Sequence, residues 1–483
     1  MSEGLVVASN RGPVAWEQGE DGRPAPRRGF GGLVTALGGA LQDEPGAWVS
    51  VALSDVDREV AASHEGKAFE VTADGSHYRL RLIDAGDRFE PYYNEVANRL
   101  LWFALHRLWV DPYSPSGESW REAWADYRSV NDQVAQGVVE AVESSATEVY
   151  LQDYHLCLAG PAVRETFPDA ALLHYLHTPW TDLDALQRLP DTIAEAVLRG
   201  LLAADVVGFS SPVWCRAFRA CAAELLGARI EGDTVLLDGR RTLVESFVLG
   251  VDADDLAHSA ASEPVAEAAA ELDAALDGRK LVVRVDRTDL SKNILRGLRA
   301  YRLLLERHPE HRGRVWHYAH LNPSRQEVPE YQEYLARCLA EAEGIRERFG
   351  EDALEVFVGD DYPRAVAALQ RSDVLLANPV KDGTNLVAKE GPTLNERDGV
   401  LVLSRDAGAT AVLAAGALVV NPYDVEAQAD ALHDALTMSA GERAVRAARL
   451  REAALRGSPS EWFRAQRRVL RGMVSSRSGR AAG

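Results

Sequence analysis

Short runs of apolar residues alternate with longer segments in which apolar residues recur every three to four positions, from one end of the chain to the other. Runs of four to eight apolar residues predict buried strands, and the longer amphipathic segments predict helices. Regular alternation of the two predicts an α/β fold with parallel sheets, because a parallel connection needs a crossover segment that is usually a helix.

The predicted elements form two series. In the first, the strands are residues 5–9, 48–52, 149–153, 172–177 and 206–209, and the helices are 92–109, 118–144 and 190–204. In the second, the strands are 281–286, 315–321, 354–358, 374–377, 400–403 and 418–421, and the helices are 294–307, 328–349, 363–371 and 426–437. Residues 12–28, rich in glycine, proline and charge, are interpreted as a polar excursion after the first strand.

An Ala-, Glu- and Asp-rich stretch at 250–278 separates the two series. The length of 483 residues also exceeds what one hydrophobic core usually supports. We therefore predict two doubly wound, Rossmann-like domains, 1–255 and 256–455, that face each other across a cleft. Residues 456–483 are expected to form a helix that packs back on the N-terminal domain and ends in a frayed tail.

Composition narrows the classes of function. A formal net charge of −20 argues against partners such as nucleic acid or an anionic membrane surface. There is no apolar run of membrane-spanning length, and the first residues lack the basic start of a secretory signal. The four cysteines are far apart in the sequence, which is typical of reduced thiols. These features predict a soluble, cytoplasmic protein.

One candidate phosphate-binding segment follows the strand at 281–286. Arg287 and Lys292 are five residues apart and flank the turn that leads into the next helix. A guanidinium fork and an ammonium group in this position can both reach one diphosphate. The alternative is a surface ion pair with Asp286 or Asp289, and for an isolated pair of cations that alternative is favoured.

A second candidate segment follows the strand at 374–377. Pro379 and Gly383 mark a tight turn into a helix, whose first N–H groups, at residues 384–387, would bind an anion. Asp382 would accept hydrogen bonds from sugar hydroxyls, and Glu390 would suit a ribose diol. The alternative is an ordinary capped helix with a solvated Lys–Glu face.

Together these segments resemble the trehalose-6-phosphate synthase family, the retaining glycosyltransferases of family 20. The resemblance lies in Asp-Gly-Thr-Asn-Leu-Val-Ala-Lys-Glu at 382–390, combined with Arg287 and Lys292. It extends over nearly the whole chain and includes Ser9-Asn10-Arg11, Gly31-Gly32-Leu33, Tyr92-Tyr93-Asn94, Trp102, Gln152-Asp153-Tyr154-His155, Leu176-His177-Thr178-Pro179, Pro323-Ser324-Arg325, Arg364 and Asn421-Pro422-Tyr423-Asp424.

The resemblance implies the GT-B fold, with an acceptor-binding N-terminal domain and a nucleotide-sugar-binding C-terminal domain. The residues that it implies for the donor are Arg287, Lys292, Gly32, Gly383, Asn385, Leu386 and Val387 for the diphosphate, Glu390 for the ribose, and Asp382 and His177 for the glucose. Those that it implies for the acceptor are Arg11, Tyr93, Trp102 and Arg325 for the phosphate, and Asp153 for a hydroxyl. The catalytic set is Asp153, His177, Arg287 and Lys292, with no metal ion and no cofactor.

The implied reaction joins glucose from UDP- or GDP-glucose to glucose 6-phosphate, with retention of configuration and without a covalent intermediate. The choice between uracil and guanine as the base of the donor nucleotide is left open. Asp360 and Asp361 are the candidates to recognise guanine. A glucosylglycerol-phosphate synthase, a pseudo-glycosyltransferase and a catalytically silent sugar-phosphate sensor are the alternatives. The partners expected are a nucleotide sugar and a sugar phosphate, and homo-oligomerisation is left open.

Several of these residues also have a purely structural interpretation. His155 and His177 follow apolar strands and fit a buried core, and Tyr93 and Trp102 fit helix packing. The chain also departs from the family pattern. Val51 replaces a tryptophan that borders the acceptor sugar, Leu290 and Asn293 replace a tyrosine and a glycine, and Thr384 replaces a methionine. The valine makes the identity of the acceptor an open question.

Overall fold

The computed structural model describes residues 4–19, 22–28, 37, 46–73, 75–109, 119–142 and 147–481. Contacts divide the chain into two compact units. Unit 1 comprises Met1–Val248 together with Pro459–Gly483, and unit 2 comprises Leu249–Ser458. Both units are built of parallel sheet and helices, which confirms the α/β fold class. The boundaries predicted at 255/256 and 455/456 stay predictions for the limits of the functional domains.

Unit 1 contains one ten-stranded sheet and a separate hairpin. The strands are β1 (Leu5–Ser9), β2 (Val14–Gln18), β3 (Pro24–Arg28), β4 (Gly46–Val51), β5 (Phe69–Ala73), β6 (Ser76–Ile83), β7 (Glu148–Gln152), β8 (Ala171–Leu176), β9 (Val206–Phe209), β10 (Arg229–Glu231), β11 (Thr234–Leu237) and β12 (Arg240–Ser246). The sheet order is β10-β11-β12-β9-β8-β7-β1-β4-β6-β5. The strands from β12 to β6 in this order run parallel, and the antiparallel strands β10, β11 and β5 lie at the edges.

The strand order of unit 1 reverses between β1 and β7. After β1 the parallel strands continue outward through β4 and β6, and after β7 they continue the other way through β8, β9 and β12. The loops that leave β1 and β7 therefore diverge at the carboxyl ends of adjacent strands. Such a topological switch point is where open α/β sheets bind their ligands.

Among the described residues of unit 1 that precede unit 2, the helices are α1 (Asp55–Ser63), α2 (Trp102–Leu105), α3 (Ser119–Ala141), α4 (Ala159–Thr166), α5 (Leu183–Leu186), α6 (Asp191–Leu201) and α7 (Pro212–Leu226). The structure adds detail to two predictions here. The polar excursion expected over residues 12–28 contains a strand pair that was not predicted, the antiparallel hairpin β2–β3. The helix predicted over 92–109 is a π-helix, Pro91–Leu101, followed by α2, and it ends early because Arg107 adopts a left-handed conformation at φ 56°.

Unit 2 contains a six-stranded, all-parallel sheet. Its strands are β13 (Lys280–Arg287), β14 (Val315–Asn322), β15 (Leu354–Val358), β16 (Val374–Ala377), β17 (Val400–Ser404) and β18 (Leu418–Val420). The order β15-β14-β13-β16-β17-β18 is the 3-2-1-4-5-6 order of a Rossmann fold. Its helices are α8 (Ala253–Ala260), α9 (Glu263–Leu276), α10 (Ile294–Arg307), α11 (Pro329–Phe349), α12 (Tyr362–Arg371), α13 (Val387–Leu394), α14 (Thr410–Leu413), α15 (Val425–Thr437) and α16 (Ala440–Ala454).

The chain enters and leaves unit 2 at neighbouring points. The N–H of Gly250 donates a hydrogen bond to the carbonyl of Gly457, so the first and last segments of the unit are joined directly. A Cβ at position 250 would lie 2.5 Å from the carbonyl oxygen of Arg456, which explains why this position is a glycine. The crossing therefore depends on close backbone approach.

The last helix, α17 (Pro459–Ala481), belongs to unit 1 and packs against β8 and β9. Two of its arginines, Arg467 and Arg471, form ion pairs with the buried Glu148. A third, Arg477, pairs with Asp205, which also binds Arg164 at 2.8 Å. Two buried carboxylates are thus neutralised from this helix. Within the described parts of the chain, no helix is both long and apolar enough to cross a lipid bilayer.

Candidate active site

The switch point of unit 2 lies between β13 and β16, and both candidate phosphate segments follow these strands. Lys292 Nζ, after β13, lies 2.6 Å from Asp382 Oδ2, after β16. The two side chains are each only 15% exposed. Asn385 Nδ2 donates to the same carboxylate oxygen at 3.2 Å. The fold thus brings together two groups that are ninety residues apart in sequence.

The turn that carries Lys292 is shaped by its neighbours. Asp289 Oδ1 accepts a hydrogen bond from the N–H of Ser291 at 2.8 Å, which starts a short 3-10 turn over Leu290–Lys292. Asn293 then adopts a left-handed conformation at φ 58° before α10 begins. Asparagine and glycine are the residues that tolerate this region best. The replacement of the family's glycine by Asn293 therefore keeps the turn.

Arg284 lies beneath this turn and is completely buried, with 0% of its surface exposed. Its guanidinium binds the carboxylate of Asp286 at 2.7 Å and donates to the carbonyl of Lys292 at 3.0 Å. It also reaches Asn378 Oδ1 at 3.2 Å and the carbonyl of Ile294 at 3.3 Å. Burial raises the pKa of Asp286, and the guanidinium opposes that shift. Arg284 thus holds the backbone of the lysine from below.

A network of buried amide side chains joins three loops of unit 2. Asn293 Nδ2 donates to the carbonyls of Asn378 and Pro422, at 2.9 and 2.7 Å. Asn378 Nδ2 donates to Gln428 Oε1 at 2.7 Å, and Gln428 Nε2 donates to the carbonyl of Pro422 at 3.0 Å. Each of the three amide side chains belongs to a residue that is at most 2% exposed. The loops after β13, β16 and β18 are therefore fixed relative to one another.

The helix α13 begins beside Asp382. Asn385, at φ 64°, accepts a hydrogen bond from the N–H of Ala388 through Oδ1 at 3.0 Å, and Val387 is the first helical residue. The N–H groups of a helix's first turn have no intrahelical acceptor and carry the positive end of the dipole. Lys292, Asp382 and the start of this helix therefore lie together, and such an arrangement is chemically suited to an anion.

The two residues that follow along α13 have different roles. Glu390 is partly buried, and burial raises the pKa of its carboxyl group to about 7, against a smaller opposing effect of Lys292. Lys389 is 2% exposed, and its ammonium group donates to the carbonyl of Leu249. Burial lowers the pKa of Lys389 to about 8. Lys389 therefore tethers the first residue of unit 2 to α13.

Arg287 and Arg325 differ in their environment. Arg287 is the last residue of β13 and is exposed to solvent. Arg325 forms a buried ion pair with Asp289, Nη1 to Oδ2 at 3.0 Å, and its guanidinium packs over the ring of Tyr331. Both arginines lie in unit 2, whereas the residues predicted besides Arg325 for the acceptor lie in unit 1.

Asp360 and Asp361 follow β15. Asp361 Oδ1 accepts a hydrogen bond from the N–H of Arg364 at 3.0 Å and so caps α12, while Asp360 is exposed. The guanidinium of Arg364 lies 5.0 Å from the ring centre of Phe357. One carboxylate of the pair is therefore already engaged by the backbone, and the other faces solvent.

In unit 1, the switch point holds Arg11 after β1 and Asp153 after β7. The loop at Arg11 is anchored by its neighbours: Ser9 Oγ donates to the carbonyl of Arg11 at 2.6 Å, and Tyr92 donates to Asn10 Oδ1 at 2.8 Å. Arg11 itself is exposed. The fold thus presents a cation at the position where ligands of such sheets bind.

Asp153 has a strained backbone, with φ 68° and ψ 174°. Residues other than glycine rarely adopt this region, and such strain is concentrated at functional sites. The carbonyl of Asp153 accepts a hydrogen bond from the buried His174 at 3.0 Å, and its N–H donates to the carbonyl of Tyr175 at 2.7 Å. The strand predicted through residue 153 ends at Gln152 because the chain turns here.

His177 follows β8, and its Nε2 lies 3.1 Å from Oε1 of Gln152, which ends β7. Burial lowers the pKa of His177 to about 4, so the ring is neutral at physiological pH. It can donate a hydrogen bond but contributes no positive charge. His174, one of the residues that sequence reasoning did not single out, is kept neutral in the same way.

The aromatic candidates are only partly available to a ligand. Tyr93 is partly buried and stacks on Phe89 and His155, with ring centres 5.3 and 5.7 Å away. Trp102 is 7% exposed and stacks on His106 at 3.8 Å, as the packing interpretation expects. Both belong to the π-helix or to α2, which continues it, and π-helical turns are frequent at functional sites. Gly32 lies outside the described residues.

Sequence reasoning missed Arg284 and the amide network. Arg284 could have been singled out from the sequence, because it is a charged residue inside the apolar run of β13. A buried arginine requires partners, and these partners come from the turns on either side of the switch point. The amides give no such signal, because asparagine in a loop is ordinary.

The geometry can be compared with known proteins. The sequence profile of glycosyltransferase family 20 matches residues 3–471. The chain belongs to this family. It is a hexosyltransferase, and the resemblance to trehalose-6-phosphate synthases is confirmed.

Three similar proteins illustrate the match. The chain is 31% identical to the validamine 7-phosphate valienyltransferase of Streptomyces hygroscopicus subsp. jinggangensis, over 99% of this chain and 96% of the relative. It is 27% identical, with a TM-score of 0.83, to the E. coli trehalose-6-phosphate enzyme bound with UDP-2-fluoro glucose, over 97% and 99% of the chains. A Burkholderia xenovorans α,α-trehalose-phosphate synthase (UDP-forming), in complex with glucose-6-phosphate, is 26% identical with a TM-score of 0.81, over 97% and 100%. The GT-B fold is thereby confirmed.

Proposed function

We propose that this protein transfers glucose from a nucleoside-diphosphate glucose to glucose 6-phosphate, giving α,α-trehalose 6-phosphate. The observation that carries the proposal is the pairing of Lys292 with Asp382 beside the start of α13. A diphosphate needs cations and free amides, and a hexose needs a carboxylate that accepts from its hydroxyls. Within unit 2, these groups lie in one site at the switch point.

The donor would bind to Lys292 and Asp382, which form an ion pair with each other in this structure. Lys292 would leave Asp382 to bind the diphosphate together with Arg287 and the amides of 383–387, and Asp382 would then accept from the glucose. Glu390 would bind the ribose hydroxyls from further along α13. The sequence segments 287–292 and 382–390 are held next to each other by Arg284 and the amide network, so little rearrangement of the backbone is required.

The acceptor is proposed to bind through residues of unit 1, with Arg11, Tyr93 and Trp102 near its phosphate and Asp153 near a hydroxyl. Arg325 is proposed to join them, and it would have to exchange its partner Asp289 for the phosphate.

The domain limits that we propose are 1–255 for the acceptor and 256–455 for the donor. The four cysteines, which are buried and form no disulfide, support a cytoplasmic location.

The chemistry needs placement and charge stabilisation rather than a protein nucleophile. The bond from the anomeric carbon to the diphosphate oxygen breaks, the acceptor hydroxyl oxygen bonds to the same face, and its proton passes to the leaving diphosphate. Lys292, Arg287 and the start of α13 would stabilise the negative charge that develops on the leaving group. His177, neutral because of its burial, would donate a hydrogen bond to the glucose.

Either uracil or guanine remains a candidate base. The UDP-forming relative favours UDP-glucose, and the exposed carboxylate of Asp360 favours GDP-glucose because it can accept from the ring N–H and the amino group of guanine. Asp361 contributes less, since one of its oxygens already caps α12.

A second candidate is a pseudo-glycosyltransferase that couples a cyclitol nucleotide to an amino-cyclitol phosphate. It is favoured by the 31% identity with the valienyltransferase over nearly the full length of both chains. Val51, at the end of β4, replaces an acceptor-side tryptophan of the synthases and leaves the acceptor less strictly defined. The intact donor segment 382–390 supports a glucosyl donor instead.

The experiment is a matrix of donors and acceptors with the purified chain. UDP-, GDP- and ADP-glucose are each combined with glucose 6-phosphate, glycerol 3-phosphate or validamine 7-phosphate, and products are identified by mass and NMR. An α,α-1,1-linked disaccharide phosphate supports the proposal, and the preferred donor identifies the base. Nucleotide binding without any product would favour the silent sensor, and product from another acceptor alone would refute the synthase.

A further inference from the structure

Three histidines and a glutamate cluster on unit 2, away from the site described above. His308 and Glu310 lie in the segment that follows α10, His311 ends the 3-10 turn there, and His433 lies in the second half of α15. Both helices begin at the carboxyl edge of the parallel sheet and end at its amino edge. The cluster is therefore at the opposite edge of the sheet from Lys292 and Asp382.

The side chains of this cluster are in close contact. His308 Nδ1 lies 3.2 Å from Glu310 Oε1, and His311 Nε2 lies 3.1 Å from His433 Nδ1. The rings of His308 and His433 stack with their centres 3.7 Å apart. One ligand atom each from His308, Glu310 and His433 lies within 4.8 Å of those of the other two. His311 is 7% exposed, whereas the other three are accessible to solvent.

We propose that His308, Glu310 and His433 bind a divalent transition-metal ion of the zinc class, independently of the transfer reaction. Two imidazoles and a carboxylate are a donor set that Zn²⁺ accepts, with water in the remaining position. Mg²⁺ and Ca²⁺ prefer oxygen ligands and are not expected to bind. The site would revise the expectation that the chain holds no metal ion.

His311 has the position of a residue that orients a ligand. When His433 binds an ion through Nε2, its Nδ1–H can donate to His311 Nε2, which lies 3.1 Å away. Metal-binding histidines almost always donate their second ring nitrogen in this way, and the bond fixes the tautomer and the ring orientation. Because His311 is buried, the ring of His433 is held from the protein side.

The stacked rings must separate slightly when the ion binds, because the lone pairs of stacked imidazoles run side by side rather than converging. The rings can reorient by rotation about the terminal side-chain torsion of histidine, which is broad, so this rotation costs little energy. The nearby cations have partners of their own. Arg307 is neutralised by Glu426 at 2.9 Å and Asp430 at 3.4 Å, and the Lys280 ammonium donates to the carbonyl of Leu436.

The test is a calorimetric titration of the full chain with zinc chloride, after removal of any polyhistidine tag and dialysis against a chelator. We expect one saturable site per chain, and a thermal unfolding midpoint that rises with Zn²⁺ but not with Mg²⁺. His433→Ala should abolish the site, and His311→Gln should weaken it by about tenfold or more. His258→Ala, which removes an exposed histidine on α8 of the same unit, should bind as the parent does.

Two results would overturn the proposal. One is the absence of saturable zinc binding by the parent chain. The other is binding that persists unchanged in a His308→Ala/His433→Ala variant whose circular dichroism and unfolding midpoint without metal match those of the parent. Anomalous diffraction at the zinc edge, with the ion between His308, Glu310 and His433, would establish the ligands directly.

Discussion

Lys292 Nζ and Asp382 Oδ2 lie 2.6 Å apart at the switch point of unit 2, so the cation proposed for the diphosphate and the anion proposed for the sugar neutralise each other. This pairing predicts that Lys292→Met lowers kcat by about 10²–10³-fold, because one donor to the leaving group is lost. The affinity for the nucleoside diphosphate should also fall, as measured by calorimetry. Lys67→Met, which removes a surface partner of Glu65, is the matched control and should leave both values unchanged.

Arg284 is predicted to be a large contributor to the stability of unit 2. Arg284→Met leaves the buried carboxylate of Asp286 without its cation, which typically costs about 3–5 kcal/mol. The unfolding midpoint should fall by on the order of 10 °C for a unit of this size. Arg307→Met, at an exposed ion pair, is the control in calorimetric unfolding. An unchanged midpoint for Arg284→Met would contradict the burial of the pair.

We predict that the backbone conformation of Asp153 lowers the stability of the fold, whereas its carboxylate is required for transfer activity. At φ 68° and ψ 174°, glycine relieves the strain and alanine does not, although both lack the carboxylate. After allowing for the greater flexibility of glycine in the unfolded chain, Asp153→Gly should be more stable than Asp153→Ala by about 1 kcal/mol. Both variants should lose transfer activity. Equal urea midpoints for the two would argue against a strained backbone.

Glu390 is predicted to make nucleotide binding depend on pH. Because burial raises the pKa of the Glu390 carboxyl group to about 7, its acceptor form becomes complete only as the pH rises through neutrality. Affinity for the nucleoside diphosphate should therefore increase over that range. The protonated carboxyl group also stabilises the fold, and this contribution is fully present below the pKa of the unfolded carboxyl group and is lost as the pH rises from there to about 7.

Glu390→Gln is the control for this prediction. The terminal phosphate of the nucleotide also titrates near neutral pH, but its contribution is common to both proteins. The difference between the two affinity profiles reports on Glu390 alone. Parallel profiles would show that the carboxyl group does not contact the nucleotide.

Base preference is predicted to depend on Asp360. Asp360→Asn should reduce the ratio of kcat/KM for GDP-glucose to that for UDP-glucose by roughly tenfold or more, because an amide cannot accept from both the ring N–H and the amino group of guanine as a carboxylate can. Asp361→Ala should instead lower stability by about 1 kcal/mol through loss of the α12 cap. A ratio that is the same in the parent and in Asp360→Asn would refute guanine recognition by this residue.

The parallel core was predictable because buried strands are continuous apolar runs, and the loops at their carboxyl ends carry the polar residues. For this reason the two Rossmann-like series were predicted correctly. The structure also places the segments around Lys292 and Asp382 next to each other. The half-exposed edge strands β10, β11 and β5 lack such runs and were missed. The hairpin β2–β3 was missed because its prolines and charges favour a loop.

Side-chain partnerships were less accessible to sequence reasoning. The alternative interpretation expected a solvated Lys–Glu face on α13, yet Lys389 is buried and binds the carbonyl of Leu249. The cluster at His308 depends on a residue 122 positions beyond His311, so no local spacing indicates it. Such contacts depend on the order of the strands in the sheet, so they cannot be predicted from the local sequence.

The hydrogen bond between Gly250 and Gly457 has a practical consequence for protein engineering. Since both ends of unit 2 emerge side by side, residues 249–458 form a cassette that interrupts unit 1 only once. If the donor binds to unit 2 as proposed, grafting this cassette from a relative should change the sugar nucleotide while the acceptor residues proposed in unit 1 stay unchanged. Its adjacent ends would equally allow it to be produced alone or circularly permuted, provided that the glycine at the crossing is retained.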